Sequence, residues 1–199
     1  MGFSITGLAM GDNFEKDINQ VSENLEIGFD DITEVTDGFS MRIEEKDIAF
    51  VCFSEVATVI FHEASLLDQK LYSQTTDSLS FEYYEVPMIF SYRYVRDCAQ
   101  IRSLLSIDGE TIYSLGREMK EELGIKRVED RVVKLVENLT EINILRVSNR
   151  AKVFRVKLCE YKGPRTRQSE KEIQAMLVER RISRSNSHDS DLFNFDNYF

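Results

Sequence analysis

The chain has 199 residues, 42% of them hydrophobic, and a net charge of −10, which is the size and composition of a folded protein built around one substantial core. It holds two histidines and three cysteines, and no CxxC pair occurs, so the sequence counts against His-based zinc sites, Ser-His-Asp triads and redox motifs. No apolar run approaches the roughly 18 residues of a membrane-spanning helix. An odd number of cysteines without a recognisable secretion signal favours a reducing, cytoplasmic location.

The first stretch of the chain predicts a strand, a helix and an acidic connection. The strand is expected over Phe3–Met10, and Asp12 with Glu15 matches a capping box that opens a helix. Four apolar residues then recur at helical spacing: Phe14, Ile18, Val21 and Leu25. The next segment holds four acidic residues: Asp30, Asp31, Glu34 and Asp37. Their spacing does not match an EF-hand, so we interpret the segment as a solvated loop.

Two stretches typical of strands follow, Phe39–Glu44 with clean alternation and Ile48–Phe53 with a nearly continuous apolar sequence. The segment after them is ambiguous. Thr58–Phe61 is rich in β-branched residues, but a helix over residues 55–70 also fits, and periodicity does not separate the two for a short apolar run. We expect the strand, which would return from Ile48–Phe53 as a hairpin.

The clearest structural signal is the stretch Leu79–Arg117, whose composition and turn chemistry predict a β-meander. Pro87 indicates a break or an edge position, because proline cannot donate to a ladder. Asp108-Gly109 is a typical hairpin turn. We expect this meander to organise the rest of the chain.

The last part of the chain predicts two more helices and a second hairpin. Val128–Leu139 carries an apolar stripe at helical spacing and follows a short helical turn at Met119–Leu123. Ile142–Val147 and Ala151–Tyr161 are expected to pair as strands. Ser169 with Glu172 opens a helix that runs to about Ile182.

The predicted fold class is therefore α+β, with a mainly antiparallel sheet of six to eight strands, made of the meander and hairpins, and two or three covering helices. We expect residues 1–182 to form a single domain, with a subdivision near 124–126 as an alternative. Residues 183–199 are rich in Ser, Asn and Asp without periodicity, which predicts a flexible acidic and aromatic tail.

Catalytic and cofactor motifs are missing from the sequence. Neither GxGxxG nor GxxxxGK[ST] occurs, and the strands are predicted as hairpins rather than βαβ units, which disfavours nucleotide binding. His62 has no neighbour in sequence that would orient it as a base. We therefore assign no catalytic residue, no metal ligand and no cofactor.

The meander offers one candidate interaction face, made of Tyr92, Arg93 and Tyr94. Aromatic and arginine-rich sheet faces bind single-stranded nucleic acids or proteins. The competing interpretation places the rings in the core with their hydroxyl groups at its rim, and we favour it.

A basic segment gives a second candidate. Residues 150–184 hold eleven basic and four acidic residues, a net charge of +7, whereas residues 1–149 carry −14. Its six candidate contact residues are Arg155, Lys157, Arg165, Arg167, Arg180 and Arg181. The segment could bind an anionic partner, or it could neutralise the acidic body within the molecule.

The tail gives a third candidate, because aromatic residues placed between acidic ones resemble short motifs that dock in a groove. Its apolar residues are Leu192, Phe193, Phe195, Tyr198 and Phe199. The alternative is that they pack on the protein's own surface.

Three functions remain open from the sequence. The first is a non-enzymatic cytoplasmic interaction module, for example an acidic inhibitor or immunity-type binder of a basic partner protein. The second is a metal-assisted or carboxylate-based hydrolase whose site is assembled only in the fold, and the third is nucleic-acid binding through residues 150–184. The oligomeric state stays open, and no membrane interaction is expected.

Overall fold

A computed structural model describes residues 4–35, 47–62, 77–96, 99–146 and 151–163. They belong to one compact unit that spans Met1–Gly163. The strand predicted over Phe39–Glu44, the helix over residues 169–182 and the tail over 183–199 lie outside the described residues. None of the described helices is long and apolar enough to cross a membrane.

The described residues form one antiparallel sheet and two helices. The strands are β1 Ser4–Met10, β2 Ile27–Glu34, β3 Ile48–Phe53, β4 Thr58–His62, β5 Ser78–Tyr84, β6 Ile89–Arg96, β7 Ala99–Ile107, β8 Glu110–Leu115 and β9 Lys152–Glu160. The helices are α1 Ile18–Leu25 and α2 Val128–Thr140. The sheet order is β2-β9-β3-β4-β1-β5-β6-β7-β8. The α+β class and the antiparallel sheet are confirmed, but the sheet has nine strands and not six to eight.

β1 lies in the middle of the sheet, and its alternation creates two cores. Ile5 and Ala9 belong to a cluster that includes the inner side of α2, whereas Leu8 and Met10 belong to a second cluster that includes Val21 of α1. Successive side chains of a strand point to opposite faces. The two helices therefore lie on opposite faces of the sheet.

The hairpin predicted around residues 48–62 is confirmed, since β3 and β4 pair in register from Ala49–His62 to Phe53–Thr58. The meander is confirmed as β5 to β8. Asp108 and Gly109 have φ values of 51° and 80°, which are the left-handed conformations that a type I′ hairpin turn requires.

The acidic connection predicted after α1 is wrong for Asp30, Asp31 and Glu34, which belong to β2, and Asp37 lies outside the described residues. Among the described strands β2 pairs with β9 only, which makes it an edge strand of this sheet, and it is irregular between Asp30 and Thr33. An edge strand tolerates exposed acidic side chains, and charge at an edge opposes unwanted pairing.

Two boundaries also differ from the sequence prediction. α1 begins at Ile18 with Asp17 as its N-cap, whose side chain accepts a hydrogen bond from the backbone N–H of Asn19, so Asp12 and Glu15 are not its capping box. The segment after α2 is not a strand up to Arg146. It still buries Ile142 and Ile144 on the α2 side of the sheet.

Candidate interaction sites

The tyrosines of β6 lie in the core on the α2 side of the sheet. Tyr92 is 2% exposed and Tyr94 is 8% exposed, whereas Arg93 lies between them on the opposite face because side chains alternate along a strand. The three residues therefore do not form one surface. Both rings belong to the interior, as the core interpretation predicts, and the hydroxyl of Tyr94 bonds to the partly exposed Asp77.

The hydroxyl group of Tyr94 joins a small polar network at the end of β6. It donates a hydrogen bond of 2.6 Å to Asp77 Oδ2 and accepts one of 2.6 Å from Arg96 Nη2. Arg96 Nε lies 3.1 and 3.2 Å from the two carboxylate oxygens of Asp77. Burial and the hydrogen bond to Asp77 raise the pKa of Tyr94 to about 12. The same carboxylate raises the pKa of Arg96, so the cation is fixed and permanently charged.

This network lies at the mouth of a cleft of about 480 Å³ between α2, the ends of β5 to β7 and residues 119–121. Its apolar wall consists of Leu79, Tyr94, Ile101, Met119, Leu135 and Leu139. Its polar residues are Asp77, Arg96, Lys120, Glu121 and Asn138. An apolar pocket of this size with a few polar groups is typical of small-molecule sites.

One wall of the cleft is held by a buried ion pair. Arg102 of β7 is 2% exposed and Glu122 is 0% exposed, and Arg102 Nε lies 3.1 Å from Glu122 Oε2. The carboxylate also accepts a 2.8 Å hydrogen bond from the backbone N–H of Met119 and one from the hydroxyl of Tyr92. Burial alone would raise the pKa of Glu122, but the bonds from Arg102 and Met119 outweigh it and the pKa is lowered.

The same arginine holds the end of β8. Its Nη1 donates to Ser114 Oγ at 2.7 Å and to the carbonyl oxygens of Leu115 and Gly116 at 3.1 and 3.3 Å. Arg102 thus links the end of β8 to Glu122 in the connection between β8 and α2. We interpret the ion pair as a structural support, since its charges are engaged with each other in the interior.

β8 forms the second edge of the sheet and is the most exposed strand. All of its six residues are exposed, and among the described strands it pairs with β7 alone. Ile112, Tyr113 and Leu115 are 58%, 47% and 47% exposed. After Glu110 the strand carries no charge. An exposed edge strand with apolar side chains presents unpaired backbone groups that can pair with another chain.

The turns beside the start of β8 add acidic and apolar surface. The backbone N–H of Asp108 donates a 3.1 Å hydrogen bond to the carbonyl of Met88, which joins the β5–β6 turn to the β7–β8 turn. Val86 and Met88 are 71% and 43% exposed, and the neighbouring acidic residues are Glu85, Asp108 and Glu110.

The basic residues of β9 lie next to acidic ones. Lys157 is opposite Asp30 in the pairing of β9 with β2, and its Nζ lies 3.6 Å from Asp47. Lys152 forms an ion pair with Glu15. β9 is an interior strand between β2 and β3, and Arg155 is opposite Thr33. Along β9, neutralisation within the molecule therefore accounts for the two lysines better than an anionic partner does.

The other residues singled out from the sequence lie outside the described part of the chain. They are Arg165, Arg167, Arg180, Arg181, Leu192, Phe193, Phe195, Tyr198 and Phe199. Their roles in partner binding stay predictions.

Sequence reasoning missed the Arg102–Glu122 pair and the exposed β8 edge. The alternation of β7 held the signal for the first, because it places Arg102 on the same side as the buried Leu104. Within the described ranges, no group of three or more His, Cys, Asp or Glu residues is placed to hold a metal ion. No protein-family model, curated protein or solved structure matches this chain, so the surfaces themselves carry the functional argument.

Proposed function

We propose that this protein is a non-enzymatic interaction module that binds a basic partner protein, with the β8 edge of the sheet as its contact surface. The observation that carries the proposal is the exposure of β8, which leaves Ile112, Tyr113 and Leu115 open to solvent along an edge with one paired side. An added strand from a partner would satisfy the outer backbone groups of β8 and cover these side chains.

The contrast between the two edges supports the choice of β8. β2 carries three acidic residues, Asp30, Asp31 and Glu34, and charge along an edge strand is one of the protections that natural sheets use against pairing. The one charged residue of β8 is Glu110, at the start of the strand. An edge that is left apolar while the other is protected favours a binding role.

The charge of the chain supports a basic partner. The net charge is −10, and Glu85, Asp108 and Glu110 lie beside the apolar edge. Complementary charge speeds association and excludes acidic competitors. An acidic inhibitor that covers a basic functional surface fits this layout, and a reducing cytoplasm is the compartment that we propose for it, because Cys52 and Cys159 are free thiols.

A matched pair of variants tests this function. Ile112→Lys places a charge on the β8 edge, and Ile32→Lys places the same charge on the β2 edge, where Ile32 is 40% exposed. The immobilised wild type and both variants are compared for proteins captured from the cells that produce the chain. We expect a protein of basic isoelectric point to be retained by the wild type and Ile32→Lys and lost with Ile112→Lys, and its purified form to bind more weakly as salt increases.

Two results would contradict the proposal. One is that no captured protein distinguishes the two variants. The other is that the only protein to do so is a second copy of this chain, which would make the edge a self-association surface.

A further inference from the structure

The cleft beside α2 has apolar side chains in its floor and wall next to a fixed cation. Leu79 and Leu135 are 1% and 6% exposed and form its depth, while Ile101 is 38% exposed at its wall. Water in contact with such a surface is displaced favourably by an apolar group of matching size. The volume of about 480 Å³ leaves room for a small organic molecule.

The hydrogen-bonding groups at the mouth differ in whether they already have partners within the protein. Asp77 already accepts from Arg96 and Tyr94, and Glu121 lies 3.6 Å from the ammonium group of Lys120. Arg96 uses Nε and Nη2 for these contacts, and within the described ranges its Nη1 has no hydrogen-bond acceptor. Asp77 is thus engaged within the protein, whereas Arg96 keeps donor capacity at Nη1.

The guanidinium group of Arg96 is also held in place. Its carbon atom lies 5.3 Å from the centre of the Tyr94 ring, in addition to the bonds with Asp77. A donor that is already immobilised loses little conformational entropy when a ligand binds. Lys120 adds a second cation, with 88% of its side chain exposed at the mouth.

We propose that this cleft binds a small carboxylic acid with an apolar body of about ten non-hydrogen atoms. The apolar body would lie against Leu79, Ile101 and Leu135, and the carboxylate would accept hydrogen bonds from Arg96 Nη1. Charge-assisted hydrogen bonds between guanidinium and carboxylate groups are the stronger kind in proteins. The site lies on the α2 side of the sheet and is independent of partner binding at β8.

The test uses three compounds of one shape: 3-phenylpropanoate, its primary amide and 3-phenylpropylamine. Binding to ¹⁵N-labelled protein is followed by chemical-shift changes in NMR spectra. A ligand of this size has an expected Kd on the order of a millimolar. We expect saturable shifts for the acid at Leu79, Tyr94, Ile101 and Leu139, and at least about ten-fold weaker binding for the amide and the amine.

Three variants identify the site. Asn138→Trp fills the mouth from an exposed position of α2 and should abolish binding, whereas Lys134→Trp on the same helix lies outside the cleft and should not. Arg96→Gln removes the cation from a side chain that is 53% exposed, so the fold is expected to survive. Arg96→Gln should weaken binding of the acid by about ten-fold or more and leave the affinity for the amide unchanged.

Each of the opposite results overturns the proposal. Absence of saturable shifts with the acid up to about ten times the expected Kd would show that the cleft is not a site for this class. Equal binding of acid and amine would remove the role of Arg96, and unaltered binding to Asn138→Trp would place the compound elsewhere.

Discussion

Replacing Glu122 by Gln tests how much the buried ion pair contributes to the free energy of unfolding. Four donor groups surround this carboxylate: the guanidinium of Arg102, the hydroxyl of Tyr92, the backbone N–H of Met119 and, at 3.5 Å, the guanidinium of Arg131. Gln has almost the same shape, but its amide group replaces one acceptor oxygen of the carboxylate by an NH₂ donor, which would face groups that also donate. Arg102 would then remain charged in an interior position that is 2% exposed.

The magnitude follows from the cost of an uncompensated buried charge. Removing one partner of a buried ion pair destabilises proteins by about 3–5 kcal/mol, which is a large part of a typical total of about 5–15 kcal/mol. With an m-value of about 2 kcal/mol/M, the urea midpoint should fall by roughly 2 M. The chain has no tryptophan, so unfolding is followed by far-UV circular dichroism and tyrosine fluorescence. Glu118→Gln is the matched control, because that carboxylate is 49% exposed and pairs with Arg131 at the surface; it should change stability by less than about 1 kcal/mol.

The pH dependence gives a second measurement. The pKa of Glu122 is lowered in the folded protein, so its stabilisation is present above the pKa of the unfolded chain and is lost as pH falls through the lower, folded value. Glu122→Gln should therefore reduce the loss of stability at acid pH. An unfolding free energy within about 1 kcal/mol of the wild type at pH 7 would refute this reasoning. The support would then come from the bonds between Arg102 and the end of β8.

Two further substitutions probe the β6 strand and the turn before it. Tyr94→Phe removes the hydroxyl between Asp77 and Arg96 and should lower the unfolding free energy by about 1 kcal/mol. Because the pKa of Tyr94 is raised from 10.0 to about 12, this contribution is present below pH 10 and is lost as pH rises from 10 to 12. The variant should therefore lose less stability than the wild type in that window, and identical alkaline stability curves would contradict this prediction. Met88 has a left-handed φ of 47° at an exposed turn position, which glycine adopts without strain. Met88→Gly should therefore raise the unfolding free energy by up to about 1 kcal/mol. Met88→Ala is the control, and a melting temperature of Met88→Gly below that of Met88→Ala would show that the side chain matters more than the backbone.

The parts of the fold that the sequence predicted are those with one dominant local signal. β3 is apolar throughout and β4 has an apolar centre because both lie inside the sheet, and the meander carries the Asp108-Gly109 turn that determines its last hairpin. α2 was predicted from its stripe, and four of the stripe's residues, Val128, Val132, Leu135 and Val136, are buried. In each case burial and local propensity favour the same structure.

The errors occur where tertiary position overrides the local pattern. β2 resembles a loop because an edge strand can keep acidic side chains in solvent. The segment after α2 alternates as a strand would, but Glu141 takes a left-handed φ of 59° and the hydroxyl of Thr140 accepts a hydrogen bond from the backbone N–H of Ile142. Its isoleucines are buried from an irregular backbone. The sheet order itself has no local signal, since β9 lies between β2 and β3 although it is last among the described strands.

The candidate sites were harder to predict than the fold, because they depend on neighbours that are distant in sequence. Tyr94 and Arg96 are close to each other in the chain, but the cleft also needs Leu139 of α2 and Met119 of the preceding connection. The exposure of β8 depends on its position at the end of the strand order. The acidic excess can be counted directly from the sequence, and it supports the basic partner that we propose.

The buried pair connects the two proposed surfaces. Arg102 donates to the carbonyl oxygens of Leu115 and Gly116 at the end of β8, and its partner Glu122 holds Met119 at the wall of the cleft. A rigid edge and a rigid wall both lower the entropic cost of binding. Glu122→Gln should therefore weaken both surfaces at once, even at temperatures where the variant remains folded. Ile112 and Asn138 are exposed and take no part in the hydrogen bonds described above for the pair, so Ile112→Lys and Asn138→Trp should each impair one surface and leave the other intact. Loss of both functions in either variant would mean that the edge and the cleft form a single site.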